Sequence, residues 1–336
     1  MMKLSLMNKV VNTLTAHRSS PLAAAFAEKW FSEVDSIKYI RASANFVFEV
    51  KVNGKSYILR FNSVLERDIR LVEDEITVLR YLLENGLSVS VPVKSQANRY
   101  LEIVKTELGV FTVVLFEKAN GQVFEVDQIN DERTVTWGSK LGELHCLLKK
   151  VPQDIANSRW SYKALLEFIK QYISENEQFL LQEYQALSAS LKKIPIDNDN
   201  FGLIHFDFDI DNVLWNDRDI TIIDFDDMVK LWFGADILFA VRSLFYNKPL
   251  DLNNQKLKLF IQGYKRKTSF DEEMLNHFPD FLRLHRLFFI ARLRRSLDIK
   301  DTSNYPEWIE RLTAKIKQNY INSSIEDIKA GRLTVR

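Results

Sequence analysis

Residues 46–61 read FVFEVKV-NG-KSYILRF, and no other segment narrows the options of this chain so far. Two runs that alternate apolar and polar side chains flank Asn53-Gly54, a pair that tolerates the left-handed backbone of a two-residue hairpin turn. The turn predicts an antiparallel hairpin and fixes its register. Val52 lies opposite Lys55, Val50 opposite Tyr57, Phe48 opposite Leu59 and Phe46 opposite Phe61. The two-residue period puts these on one mostly apolar face and sends Val47, Glu49, Lys51, Ile58 and Arg60 to the other. Arg60 is therefore expected across from Val47, with Ile58 two residues away on the same side.

The pattern around this hairpin changes twice. Residues 1–35 read as a helical extension, with PLAAAFAEKWF its clearest part. LVEDEITVLRYLLENG (71–86) predicts a helix with a stripe of Val72, Ile76, Leu79 and Leu83 and a C-cap at Gly86. RYLEIVKTELGVFTVVLFEKANG (99–121) predicts two more strands. From about 130 the chain reads as helical over 131–149, 161–191, 235–246, 252–265, 271–297 and 306–330. A β insert interrupts it, with short runs GLIHF, NVLW and ITIID between 202 and 224. The organisation expected is an extension (1–35), a β-rich lobe (36–117) and a larger helical lobe (118–336).

The β insert carries the chemistry. Eight Asp residues fall between 207 and 227 in a chain of formal net charge +1, so the negative charge is local. That near-neutral balance gives no basis for bulk capture of nucleic acid or a membrane surface. Asp207, Asp209 and Asp211 start like an EF-hand loop, but Asn212 stands where Gly is needed and Arg218 where a bidentate Glu is needed. A haloacid-dehalogenase-like Asp-x-Asp would require a doubly wound sheet after it, and the following residues read as helical. The spacing His205-x-Asp207-x4-Asn212, then Asp224-Phe-Asp226, suits phosphoryl transfer instead. A phosphoryl group in flight needs metal ions on its oxygens. Asn212 and Asp224, at one end of an antiparallel ribbon, can ligate Mg2+, while Asp207 can take the proton of an acceptor hydroxyl.

HFDFDIDNVL…IIDFDD resembles the H-G-D-x4-N…I-D-F motif of the aminoglycoside phosphotransferase and choline kinase superfamily, relatives of the protein kinases. The resemblance runs from about 36 to 297. LGELH (141–145), GADILFAV (234–241) and the hinge-like FEKANG (116–121) agree with it. It implies an α+β, protein-kinase-like two-lobed fold, with a small antiparallel β lobe and a larger helical lobe. It implies an ATP- and Mg2+-dependent transfer of the γ-phosphoryl group to a hydroxyl of a small molecule. Asp207 would be the base, and Asn212 and Asp224 the metal ligands. Val47 and Ile58 would cover the adenine, and backbone groups of Glu117 and Ala119 would bond it. Arg60, paired with Glu75, would meet the phosphates; Glu73 is the rival partner.

This sequence departs from the family pattern in three places. Arg60 replaces the usual Lys. Phe206 replaces Gly, requiring a different local fit or a φ below zero. The phosphate loop, RASANF (41–46), has no glycine, although Ala42, Ser43 and Ala44 are small and Asn45 matches the family. These departures keep a nucleotide-binding pseudokinase open beside the kinase, and phosphorylation of protein Ser or Thr is a third reading. His205 and His145 are read as structural, and Asp236 as a helix cap. Asp226 is an additional site carboxylate or a structural one. Asp209 and Asp211 are read as a solvated loop face or, with Asp227, as the contact for a cationic, amine-bearing acceptor. Trp232, Phe233, Phe245 and Tyr246 are read as core, with an acceptor pocket as the alternative. Phe281, Leu284, Phe288 and Ile290 are read as core. One cysteine, Cys146, and no run near the ~20 apolar residues of a membrane span fit a cytoplasmic protein.

Overall fold

The computed structural model describes residues 1–216, 219–246 and 248–332. Asp217 and Arg218, expected in the turn of the acidic ribbon, lie outside the described residues, as do 247 and 333–336. The chain divides into two compact units. One comprises Met1–Leu83, Ser90–Ala119 and Arg295–Thr313; the other comprises Glu84–Val89, Asn120–Arg294 and Ala314–Arg336.

In the first unit the helices α1 (Leu4–Val11) and α2 (Pro21–Ala27) precede an antiparallel sheet. Ser20 caps α2 by accepting the Ala23 N–H, and Pro21 occupies the first helical position, where no donor is lost. The strands are β1 (Ser36–Ala42), β2 (Phe46–Val52), β3 (Lys55–Ser63), β4 (Pro92–Val93), β5 (Leu101–Thr106) and β6 (Gly109–Glu117). Their order is β1-β2-β3-β6-β4, with β5 also paired to β6. The β2–β3 register is the one the Asn-Gly turn predicts, from Phe46↔Phe61 to Val52↔Lys55. The apolar face packs as expected: Phe48 and Phe61 stack with centroids 5.6 Å apart, and Phe26 of α2 meets Phe61 edge-on at 4.9 Å. The helix α3 (Ile69–Glu84) starts two residues before the expected one. Leu82 rather than Leu83 completes its buried stripe, and Glu75 lies buried within it.

The second unit is mainly helical: α4 (Asp131–Leu148), α5 (Gln153–Ser158), α6 (Tyr162–Gln171), α7 (Gln178–Leu191), α8 (Phe233–Ala240) and α9 (Gln255–Lys265). The long α10 (Phe278–Ser296) and α12 (Ser323–Lys329) complete the series, whereas most of α11 (Glu307–Lys315) belongs to the first unit. The stretch expected as one helix over 161–191 is broken between α6 and α7. A π-helical segment, Ile316–Asn322, joins α11 to α12. Two short ribbons supply the β structure. β7 (Phe201–Ile204) pairs with β10 (Val229–Trp232), and β8 (Val213–Asn216) pairs with β9 (Asp219–Ile222).

The α4–α9 contact is close because both helices carry a glycine there. A Cβ on Gly138 would come 1.9 Å from the Phe260 carbonyl, and one on Gly263 would come 2.0 Å from that of Val135. This approach brings His145 of α4 against Tyr264 of α9. Phe281, Leu284, Phe288 and Ile290 of α10 are buried, as are Trp232, Phe233 and Phe245, whereas Tyr246 is exposed. No helix among the described residues is long and apolar enough to cross a membrane.

Candidate active site

The site residues fall into two groups, one in each unit. In the first unit Arg60 and Val47 face one another across β2–β3, and Ile58 pairs with Glu49 on one side and Phe116 on the other. Arg60 Nη2 meets Glu75 Oε2 at 2.6 Å, and Glu75 is only 1 % exposed. Glu73, the rival, is exposed. The Arg60 guanidinium also lies 5.0 Å from the centre of the Phe116 ring. A buried carboxylate and a ring thus hold the cation in one orientation, which lowers the entropy cost of meeting an anion. At the end of β6 the Glu117 N–H donates to the Val91 carbonyl at 2.9 Å. Of Glu117's backbone groups, the carbonyl is then the one to consider for a nucleobase.

In the second unit, β7 delivers His205, Phe206 and Asp207. Both carboxylate oxygens of Asp207 are engaged. Asn212 Nδ2 donates to Oδ2 at 2.8 Å and to the Asp207 carbonyl at 2.9 Å, and Arg242 Nη2 donates to Oδ1 at 2.7 Å. Asn212 spends its amide N–H groups on Asp207, so its side-chain carbonyl is the atom suited to a cation. The Asn212 backbone carbonyl accepts the Ile223 N–H at 3.0 Å, which places Asp224 at the same end of the β8–β9 ribbon. Asp224 adopts a left-handed backbone, φ +67°, that ends β9 and starts a short 3-10 turn through Asp227. An amide oxygen and a carboxylate presented together suit a hard cation such as Mg2+, which takes one or two protein oxygens and completes its shell with water and phosphate. Among the described residues no group of three or more His, Cys, Asp or Glu is placed to hold a metal ion.

The loop is held from below by Asp236 of α8. The Asp236 carboxylate accepts the backbone N–H of His205 at 3.0 Å, that of Phe206 at 2.8 Å and His145 Nε2 at 2.9 Å. The residue expected to cap its helix instead sits inside the first turn of α8 and ties down the loop that leads to Asp207. His145 Nδ1 accepts from the Tyr264 hydroxyl at 2.8 Å. His205 Nε2 donates to the Ile223 carbonyl at 3.1 Å, and its Nδ1 accepts the Asp207 N–H at 3.3 Å. Burial depresses the pKa of both histidines, more than their acidic neighbours raise it, so both rings are neutral hydrogen-bonding struts.

Phe206 keeps φ at +72°, the sign that the glycine of the family motif would tolerate, rather than moving below zero. Its ring compensates by packing on Phe239 and Phe288, with centroids 5.2 Å and 5.6 Å away. The solvated-face reading of Asp209 is corrected: its Oδ2 lies 3.1 Å from Arg242 Nε, and the side chain is 13 % exposed. Asp211 is exposed as read. Asp227 Oδ2 accepts from Arg292 Nη1 at 2.7 Å. Asp226 is buried, and its carbonyl accepts from Arg159.

The sequence reading therefore missed Arg242 and Arg292, the countercharges of the acidic cluster. Arg242 carried a usable signal, the one cation inside the largely apolar run FGADILFAVRSLF, since an unpaired charge is rarely buried. Arg292 carried none, being one of five Arg in the run FLRLHRLFFIARLRRSL. Burial works against the Asp207 anion, yet the charge and hydrogen bond of Arg242 hold its carboxyl below the ordinary carboxylate value. Burial pushes Asp209 up despite the same guanidinium.

The model of the phosphotransferase enzyme family matches residues 36–270. Amicoumacin kinase of Bacillus subtilis (strain 168) is 27% identical over 293 residues, 84% of this chain and 87% of that protein. Among solved structures, amicoumacin kinase hAmiN in complex with AMP-PNP, Ca2+ and Ami shares the fold at a TM-score of 0.74. It is 22% identical, and the match covers 93% of this chain and 94% of that one. The microcompartment-associated aminopropanol kinase follows at a TM-score of 0.67 and 18% identity, covering 99% of this chain and 100% of that one. The α+β, kinase-like fold expected from the acidic motif is the fold of these proteins, and the match over 36–270 places the chain in the phosphotransferase enzyme family.

Proposed function

We propose that this protein transfers the γ-phosphoryl group of ATP to a hydroxyl of a small, amine-bearing molecule, in a Mg2+-dependent reaction in the cytoplasm. The observation that carries the reading is the bonding of Asn212 to both the carboxylate and the carbonyl of Asp207, with Asp224 at the same ribbon end. Residues 36–117 are the nucleotide-binding lobe and 118–336 the catalytic and acceptor lobe, with 1–35 as an extension.

Each residue then has a defined task. Val47 and Ile58 cover the adenine, which the Glu117 carbonyl and the Ala119 N–H bond. Arg60, steadied by Glu75, meets the α- and β-phosphates. The Asn212 side-chain oxygen and Asp224 hold Mg2+, which when bound neutralises charge on the phosphate oxygens. Asp207, fixed by Arg242 and Asn212, accepts a hydrogen bond from the acceptor hydroxyl, orients it and takes its proton as the O–P bond forms. With its basicity lowered by Arg242, Asp207 contributes mainly through orientation, which suits a loose transition state that demands little proton abstraction early. The amine on the acceptor is supported by the structural likeness to an aminopropanol kinase. Arg242 and Arg292 neutralise part of the acidic cluster, so its charge is a weaker argument for a cation than the bare sequence suggests.

The test is an acceptor panel of amino alcohols and amine-bearing antibiotics with [γ-32P]ATP, using wild type and Asp207→Asn. Transfer to at least one acceptor is expected, with Asp207→Asn reducing kcat by roughly 10²–10⁴-fold. ATP binding without transfer to any acceptor, identical in both proteins, would leave the pseudokinase reading standing instead.

A further inference from the structure

A tryptophan ring left in water forgoes one of the largest burial gains a side chain offers. Trp160 is 42 % exposed, and it does not stand alone. Its ring centre lies 5.3 Å from that of Phe168, which in turn lies 5.0 Å from Tyr172 and 5.6 Å from Phe288. Phe168 and Tyr172 are half-buried. The helix α6 fills the core with other residues, Tyr162, Leu165, Leu166 and Ile169. Phe168 and Tyr172 therefore belong to a second, aromatic strip that the packing of the core does not explain. Touching rings left partly in solvent mark a place where an apolar group can dock.

The strip leads to the candidate base. Phe288 packs on Phe168 and also on Phe206, the residue directly before Asp207, with centroids 5.6 Å apart in each case. The Arg292 guanidinium lies 5.5 Å from the centre of the Phe288 ring and pairs with Asp227 at 2.7 Å. Arg292, Asp227 and Asp207 all keep part of their side chains in solvent. The backbone makes a second link. The Lys230 N–H donates to the Trp160 carbonyl at 2.7 Å, and Lys230 of β10 stands opposite Leu203 of β7, the strand that delivers Asp207. At the other end Arg294 Nη1 donates to the Tyr172 carbonyl at 2.6 Å and to Glu177 at 2.8 Å. The strip is thus fixed to α10 and to the β7–β10 ribbon, and all of these residues belong to the second unit.

We propose that Trp160, Phe168 and Tyr172 form a wall that recognises the acceptor, and that the acceptor carries an aromatic ring beside its reacting hydroxyl. The proposal rests on the kinase reading above and narrows the acceptor class. The occupant is the acceptor because the strip runs, ring to ring, to the residue that precedes Asp207. A ring stacked on Phe168 or Trp160 gains apolar contact where these side chains now meet water. A small aliphatic amino alcohol leaves them wet. The three residues bind and select; they take no part in moving the proton or the phosphoryl group.

Phenylethanolamine and isopropanolamine are the same amino alcohol bearing a phenyl or a methyl group, and together they test the wall. Their Kd values are measured by calorimetric titration in the presence of AMP-PNP and Mg2+. Wild type is expected to bind the phenyl compound roughly tenfold more tightly. Trp160→Ala and Phe168→Leu are each expected to cut that preference roughly threefold or more. The Kd for AMP-PNP should stay within about twofold in both variants, which a general loss of structure would not allow. Equal affinity for the two compounds in wild type, including no measurable binding of either, overturns the proposal. A preference that survives both substitutions overturns it as well. A wild type that prefers the phenyl compound but phosphorylates neither from ATP counts against the kinase reading and leaves the wall in place, because the Kd values need no turnover.

Discussion

Phe206 shows most plainly how this chain solves a local problem with unusual means. A left-handed backbone at a bulky residue costs on the order of 1–2 kcal/mol. The loop needs that backbone, because the N–H groups of 205 and 206 must both reach Asp236. The ring more than offsets the strain by filling space beside Phe239, His285 and Phe288. Phe206→Gly relieves the strain and loses the ring, whose removal from a core costs about 3–5 kcal/mol. The net expectation is a destabilisation of about 2 kcal/mol in denaturant unfolding. A variant as stable as wild type would mean that the ring contributes little and the strain account is wrong. The Arg60–Glu75 pair follows a similar logic: the buried glutamate orients a cation that would otherwise wander.

At the scale of elements, legibility tracked how local the determining interaction was. The β2–β3 register was readable because an Asn-Gly turn and a two-residue period fix it within sixteen residues. β1 was not, since Ser36–Ala42 is an edge strand with four of its seven residues exposed, so its sequence shows no buried alternation. β10 is four residues long and sits directly after the acidic run. The break between α6 and α7 falls in YISENE, which has neither Gly nor Pro to mark it. Within the candidate site, spacing was enough to bring Asn212 and Asp224 to one end of the ribbon. The partners of the acidic cluster were not legible: Arg242 lies 35 residues from Asp207 and Arg292 lies 65 from Asp227. Asp236 was recognised as part of a motif, but its role was misassigned, because its partners lie 30 and 31 residues before it.

For the molecule as a whole, the buried histidines couple stability to pH. The His285 pKa is lowered to about 3, first by burial and then by the Arg242 charge. Beyond Arg242, the charged groups facing it are Asp207, Arg292 and Arg286. In the unfolded chain a histidine titrates near 6.5. Between those values the unfolded state binds more protons, so stability is full above about 6.5 and falls as the pH drops toward 3. From pH 6.5 to 5.5 this one residue is expected to cost roughly 1 kcal/mol, visible as a lower Tm at the acid end. His285→Phe should flatten that slope, and an unaltered slope would assign the acid sensitivity elsewhere. The account's central claim is narrower: Asp207, Asn212 and Asp224 together form the transfer site. The most direct measurement is the rate of γ-phosphoryl transfer against Mg2+ concentration for wild type and Asp224→Asn. The account predicts that the variant needs at least about tenfold more Mg2+ for half-maximal rate and stays slower at saturation. The same Mg2+ dependence and the same rate in both proteins would contradict it.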